Sequence, residues 1–275
     1  MKRLLALAAV LLPVYLFAQG FGSFSHDQPY LSAGASSGVV ALPMLPDIRF
    51  RWVASDVSVD GPVTNWFDRI ASVPLSQTVI AHRPTKSLGG VYFANASATD
   101  IRAVTNTSAM TFNSISQAIL IVTSNALPVF TGANNYGNFW VENSNGYGFR
   151  LKDNNAGSIT WEFDNNGGAA AEATLVNFGA SMPQGVQAFL YMGYTQTNWA
   201  AFTNNSLSIS NTTPALGGTA PILGVLGRGA LWSNSSSFRG YVMEVVVWTN
   251  AMNFTPQIIS QAFDYVTNTY GHFNP

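Results

Sequence analysis

The sequence predicts an all-β domain, a sandwich or barrel closed by one C-terminal helix. Three observations predict it. Short alternating apolar runs recur from Asp47 onward, clusters of Gly, Asn, Pro and Ser separate them, and a single stretch carries helical spacing. Composition agrees: 47% of residues are hydrophobic and 13% aromatic, but only 9% are charged, against roughly 25% in ordinary globular proteins. Solubility then rests on Asn, Ser, Thr and exposed backbone, as in extracellular β proteins, which argues against a cytosolic helical enzyme.

The first residues read as an export signal. Lys2 and Arg3 form the charged start, Leu4 to Leu12 the apolar stretch, and Ala18 the small residue before a cut at Gln19. An uncleaved anchor is the competing reading, but the run is broken by Pro13 and falls short of the ~20 residues that span a bilayer. The expected organisation is a signal peptide over residues 1–18, a Gly/Ser/Ala/Pro-rich linker or peripheral strand over 19–46, and one domain over 47–275. The mature chain is expected to be secreted or at the cell surface, with no membrane span.

Strands are expected at Arg49–Ala54, Ala118–Thr123, Asn138–Glu142, Tyr147–Lys152, Ser158–Asp164, Gln187–Tyr194, Trp199–Thr203, Leu207–Ser210 and Tyr241–Thr249. Asp153–Gly157 joins one hairpin and Asn204-Asn205 another, because Asn tolerates the positive φ of a tight turn. Asn145-Gly146 and Asn166-Gly167 are further turn signals. The nearly unbroken apolar run Tyr241–Thr249 suits a central strand covered on both faces. The helix is expected over Thr255–Asn268: Thr255 caps it, Pro256 takes the first helical position, and Gly271 stops it. Ile258, Ile259, Ala262, Phe263 and Val266 form its apolar stripe.

Three stretches resemble the bacterial laminin-G-like, concanavalin A-like domains. Trp52-Val53-Ala54-Ser55-Asp56, then Asp60-Gly61 and Val63 to Trp66-Phe67-Asp68, is similar to the family's opening. His82-Arg83-Pro84-Thr85 with Val91-Tyr92-Phe93 is similar to its second segment. Leu226-Gly227-Arg228, Phe238-Arg239-Gly240-Tyr241-Val242-Met243-Glu244-Val245 and a helix ending Tyr270-Gly271 resemble its close. The resemblance implies an antiparallel jelly-roll β-sandwich used by lectins and by retaining glucanases. The chain departs from the pattern at Arg69–Ser72 and at Ala94-Asn95, where the family carries Ser-Gly-Asn-Gly and Asp-Gly.

Catalysis has little to stand on. The glucanases that share this fold place three acids along a strand, where a period of two puts them on one face. Here Glu162 and Asp164 are present, and Asn166 or Gly167 stands where the third acid belongs. No catalytic residue is expected. Gly34-Ala35-Ser36-Ser37-Gly38 matches a nucleophile-elbow pattern, but without the strand before it and the helix after it that an elbow needs. His26, His82 and His272 lack ligand spacing, and no cysteine exists for disulfides, thiolate metal sites or cysteine catalysis.

Calcium is the one cofactor the residues admit, since loops rich in Asp and Asn offer hard oxygen ligands. Its candidate ligands are Asp153 with Asn154 and Asn155, or Asp164 with Asn165 and Asn166; plain turn chemistry is the competing reading. For sugar stacking the candidates are Tyr136, Trp140, Tyr147, Trp199 and Trp232, which lie in or beside polar, turn-rich stretches. Trp52, Trp66 and Trp248 are expected in the core. Glu244, inside an apolar strand, needs a partner if buried, and Arg228 or Arg239 is the expected one. Sequons occur at Asn95, Asn106, Asn204, Asn211, Asn234 and Asn253.

Basic residues are scattered singly or in loose pairs, so no cationic footprint for nucleic acid appears. The expected function is non-catalytic binding of carbohydrate or a glycoprotein surface, or adhesion. The alternative is a self-associating structural component of a surface, filament or virion, and a glycosidase or lyase comes third.

Overall fold

The structure, a computed structural model, describes residues 40–43, 47–57, 60–87, 90–95, 102–105, 117–129, 135–142, 147–153, 159–164, 172–178, 184–193, 199–204, 206–211, 225–227 and 237–273; for 105, 117, 126–129, 135–142, 147–153, 161–164, 172–176, 193, 199, 206–211, 225–226 and 237 it describes the backbone alone. The expected leader and most of the 19–46 segment, including the Gly34–Gly38 motif, lie outside the described residues.

In chain order the strands are β1 (Ile48–Val53), β2 (Gly61–Pro62), β3 (Asn65–Phe67), β4 (Pro74–Ser76), β5 (Thr85–Ser87), β6 (Gly90–Ala94), β7 (Val104–Thr105), β8 (Gln117–Val129) and β9 (Asn135–Glu142). They continue with β10 (Tyr147–Asp153), β11 (Ile159–Asp164), β12 (Glu172–Asn177), β13 (Val186–Gly193), β14 (Trp199–Thr203), β15 (Ser206–Asn211), β16 (Val225–Leu226) and β17 (Ser237–Trp248). Helix α1 (Pro256–Tyr270) follows.

The strands build two antiparallel sheets. One runs β15-β14-β13-β8-β17-β6-β5-β2, and the other β12-β11-β10-β9-β16-β7-β4-β3. β8 pairs along the whole of β17, so the other edge of β17 is shared: β6 takes Arg239–Val242 and β1 takes Glu244–Trp248. Between the sheets lies a core of Phe50, Trp52, Val91, Phe93, Ile119, Ile121, Phe189, Tyr191, Val242, Val245 and Val247 from the first and Trp66, Leu75, Val104 and Ile159 from the second. This is the all-β antiparallel sandwich with one helix that the sequence predicts.

Both hairpins form where the turn residues place them. β10 pairs with β11 and β14 with β15, and Asn204 sits at φ 50° in the turn of the second. β17 and β8 extend well beyond the runs the periodicity marks. Gly240, with φ 141°, and Asn125, with φ 49°, interrupt the apolar pattern, and irregular register between Arg239 and Tyr241 and between Val242 and Glu244 keeps the pairing going past them. Central placement of β17 holds: Val242, Val245, Val246, Val247 and Trp248 are all fully buried, so alternate residues meet the core on one face and other buried groups on the opposite one.

The helix begins as its capping residues dictate. Thr255 Oγ1 accepts the Ile258 N–H at 3.3 Å, with Pro256 at the first position. It ends at Gly271, whose N–H donates to the Thr267 carbonyl with φ 101°. Its stripe of Ile259, Ala262, Phe263 and Val266 is buried, and the helix contacts β13. Leu42 is buried as well, and Gln261 donates to the Ala41 carbonyl.

The motif tryptophans are wholly buried, as expected, and their indole N–H groups are satisfied. Trp52 donates to the Val73 carbonyl at 3.1 Å and Trp66 to the Val53 carbonyl at 3.0 Å. Asp68 closes the loop between β3 and β4 by accepting the N–H groups of Ile70, Ala71 and Val73. Residues 69–72, where the chain departs from the family pattern, are therefore a turn organised by Asp68, with Ser72 at φ 56°. The second departure is structural too. Asn95 is fully buried, donates to the carbonyls of Arg102 (3.2 Å) and Phe238 (2.7 Å), and accepts the Arg102 N–H at 2.7 Å.

Asn95 is thereby lost as a glycan acceptor in the folded chain. Asn204, likewise, accepts the Ala188 N–H and donates to Gln187, whereas Asn253 is exposed. Asn106 and Asn234 lie outside the described residues, as does the side chain of Asn211.

Gly227, in the third motif, is a backbone requirement. Its φ is 95°, and a Cβ there would stand 2.4 Å from the Phe93 ring and 2.6 Å from the Arg102 carbonyl oxygen. Gly227→Ala is expected to cost roughly 2–4 kcal/mol through left-handed strain and overpacking. Urea denaturation followed by tryptophan fluorescence checks this, and an unchanged midpoint would contradict the close packing of Gly227 on Phe93.

Candidate functional site

The chemistry of this domain gathers where β1, β17 and α1 meet. Glu244 is the only charged side chain on β17 besides Arg239, and it is fully buried. A carboxylate in such a place must be paired and hydrogen-bonded. Its Oε1 accepts from Arg51 Nε at 2.7 Å, and its Oε2 accepts from the hydroxyls of Tyr265 and Tyr270, each at 2.7 Å. Arg51 also donates from Nη2 to the Tyr265 hydroxyl at 2.8 Å, and its guanidinium lies 5.6 Å from the Tyr265 ring centroid.

The charged partner is Arg51 and not Arg239, one of the two expected from the sequence. Arg239 is exposed and donates to the Tyr92 hydroxyl at 3.2 Å, and Arg228 lies outside the described residues. Arg51 takes the role because β1 pairs with β17, with Trp52 opposite Val245 and Val53 opposite Glu244. Separation in sequence hid this: the two are 193 positions apart.

The local electrostatics follow. Burial first, and then the Glu244 charge, push the Tyr265 and Tyr270 hydroxyls above the ordinary tyrosine range. Burial alone would lower the Arg51 pKa, but the Glu244 charge and hydrogen bond outweigh it, and the net direction is up. Both tyrosines thus stay protonated donors and Arg51 stays a cation.

In front of this cluster opens a cleft of about 450 Å³, lined by Arg51, Ser55, Arg69, Lys86, Met243, Tyr265, Thr269 and Tyr270 with Val53, Ala54 and Gly90. Gly90 sits on the β6 side with φ 137°, and a Cβ there would approach the Val242 carbonyl oxygen to 2.9 Å. Arg69 forms a two-point pair with Asp56 and also donates to Ser55. Three basic side chains therefore border one opening, and among the described residues no acid lines it. Glu244 stands behind the wall with both oxygens occupied.

Four of the five residues singled out from the sequence for stacking lie on other strands. Tyr136 and Trp140 are on β9, Tyr147 on β10 and Trp199 on β14; β9 and β10 belong to the opposite sheet from the cleft strands. Lys152 lies opposite Tyr136, Phe149 opposite Trp140, Glu142 opposite Tyr147 and Gly193 opposite Trp199 in the ladders. The side chains of these four, and Trp232 altogether, lie outside the described residues.

The two candidate calcium loops are separate. Asp153 pairs with Ile159 and Asp164 with Gly148, at opposite ends of the β10–β11 ladder. That is five residue steps, about 17 Å at ~3.4 Å per residue, so the two aspartates do not share one ion. Among the described residues no group of three His, Cys, Asp or Glu is placed to hold a metal. Tyr265, Thr269, Tyr270 and Lys86 were missed as site residues because three of them sit in a helix read for its apolar stripe, and no local motif marks Lys86.

No protein-family model matches this sequence, and the comparison with curated proteins finds no match. Among solved structures 219 chains match, so the fold is widely shared and the likeness singles out no activity. The chain is similar to a Trypanosoma rangeli sialidase in complex with sialic acid, with a TM-score of 0.57 and 13% identity over 84% of this chain and 34% of the sialidase. It is also similar to domain 4 of a GH43 extracellular arabinanase from Geobacillus stearothermophilus in complex with arabinotriose. There the TM-score is 0.51 at 12% identity, over 78% of this chain and 99% of that domain. The chain thus spans about a third of the sialidase but matches the whole arabinanase domain, and at these identities the likeness carries the β-sandwich fold alone.

Two outcomes test the cluster. Arg51→Ala leaves the buried Glu244 without its counter-charge and is expected to cost about 3–5 kcal/mol, part of which Arg51→Met with Glu244→Gln restores; chemical denaturation reads both. The second outcome concerns alkali. The folded pKa values of Tyr265 and Tyr270 exceed the unfolded value of 10.0, so their contribution is full below that pH. It declines as pH rises past 10, because the unfolded chain releases its protons first. Thermal melts between pH 8 and 11 should show a steep alkaline fall in Tm, shallower in Tyr265→Phe with Tyr270→Phe.

Proposed function

We propose that this chain is an exported, non-catalytic glycan-binding β-sandwich of the laminin-G-like class, and that it binds through the cleft between β1, β17 and α1. The observation that carries this reading is the chemistry of that cleft. Tyr265, Tyr270, Ser55, Thr269, Arg51 and Arg69 line one opening of about 450 Å³. Such a lining offers what a pyranose needs: a flat ring for its apolar face and fixed donors for its hydroxyls. Glu244 and Asp56 hold the two arginines in place, so little order has to be created on binding.

Binding without turnover is supported by the acid inventory. Glycoside hydrolysis uses a pair of carboxyl groups flanking the scissile bond. Among the described residues the cleft lining contains none, and both oxygens of Glu244 are already held by Arg51, Tyr265 and Tyr270. Export is supported by the leader-like start at Lys2–Ala18. Among the described residues no helix is long and apolar enough to cross a membrane. The solved relatives are consistent with a glycan partner, since the arabinanase domain holds arabinotriose. Calcium at Asp153 or Asp164 is an optional addition to this reading, not a part of it.

Self-association is the second reading, favoured by exposed apolar side chains at Val79 (49%) and Ile80 (72%). A glycan array probed with the secreted chain, with calcium and with chelator, separates the readings. Binding of a defined glycan is expected, falling at least about tenfold in Tyr270→Ala, the size of a 1.4 kcal/mol contact, with no release of reducing sugar. Silence across the array, together with a large oligomer on sizing that Ile80→Lys disperses, would overturn glycan binding in favour of assembly.

A further inference from the structure

We infer that the cleft takes an anionic sugar, one bearing a carboxylate or a sulfate, and that Lys86 supplies the charge that recognises it. This inference rests on the glycan-binding reading and names its ligand class.

The argument is one of charge balance at a single place. The chain as a whole carries 12 basic and 13 acidic residues, so it has no general attraction for anions. At the cleft the balance reverses. Arg51 is neutralised by Glu244 and Arg69 by Asp56. Lys86 has no acidic partner among the described residues; its ammonium donates to the Ser87 carbonyl at 2.6 Å. The cleft therefore keeps one uncompensated positive charge, beside two guanidinium groups close enough to repel each other.

Surroundings raise the value of that charge. Lys86 and Arg51 are both partly buried, and Gly90, Val53, Ala54 and Met243 give the opening apolar wall, so an anion here is less screened than on open surface. The hydroxyls of Ser55 and Thr269 are placed to complete the shell of a carboxylate or sulfate whose ring rests near Tyr270. A neutral sugar would use the hydroxyls and the ring but leave the Lys86 charge unanswered. That difference is the selectivity.

The test is titration calorimetry of the full chain with sialyllactose, a glucuronate disaccharide and sulfated lactose, each against lactose itself. The acidic members are expected to bind at least about tenfold more tightly than lactose, as one charge-assisted hydrogen bond implies. The preference should shrink as salt is raised. Lys86→Gln should abolish it without changing the melting curve, and Lys86→Arg should retain most of it. The sialyl and glucuronate arms against the sulfate arm decide which anion the cleft prefers. Equal binding of lactose and its acidic forms, or an acidic preference that survives Lys86→Gln, would overturn the inference while leaving glycan binding intact. Failure of every sugar here and on the array would instead remove the glycan reading itself.

Discussion

The buried carboxylate of Glu244 is the constraint around which this end of the molecule is arranged. It sits on the strand that pairs with three others, at the point where β1 replaces β6 along its edge. An ionised group with no exposure there is tolerable only with its lone pairs filled. Three donors fill them, one from β1 and two from α1. The same bonds that satisfy the charge therefore fix the first strand and the last helix onto the sheet. Apolar packing of Ile259, Phe263 and Val266 holds the helix down, but it does not set its rotation or register; the two tyrosine hydroxyls do.

That arrangement also shapes the cleft. Tyr265 and Tyr270 lie five residues apart on α1, more than a helical turn, so they reach Glu244 Oε2 from different directions and leave an opening beside them. Arg51, turned toward Glu244, forms one wall, and the Asp56–Arg69 pair forms another. Structural and recognition roles thus share residues. The distinction between them falls on Lys86, which holds nothing together beyond a contact with its neighbouring carbonyl and so is the group whose charge is left for a ligand.

The three stretches singled out in the sequence acquire a common physical meaning in the fold. Trp52 and Trp66 bury their rings between the sheets and spend their N–H groups on loop carbonyls, Asp68 gathers three backbone N–H groups, and Gly227 permits the close approach of Phe93. Asn95, where the family pattern has another residue, ties β6 to the segments around Arg102 and Phe238. These are devices for closing a sandwich. They describe how the domain is built, whereas other residues of the same stretches, Ser55, Met243 and Tyr270, line the cleft.

Much of the fold was legible because its signals are local. Period-two runs placed β1, β13, β14 and the middle of β17, paired asparagines placed the turns, and Thr255, Pro256 and Gly271 bounded the helix to within two residues. The short strands β2 to β5 and β7 were illegible, since two or three residues carry no period, and the long reach of β8 and β17 was masked by Asn125 and Gly240. Sequence also showed that Glu244 would need a partner. Which partner, and with it the cleft, was decided by tertiary structure alone. Strand pairing brings Arg51 to Glu244 across 193 residues, and helix docking adds Tyr265 and Tyr270. A buried charge announces its demand in the local pattern, but the group that answers it is chosen by how distant segments pack.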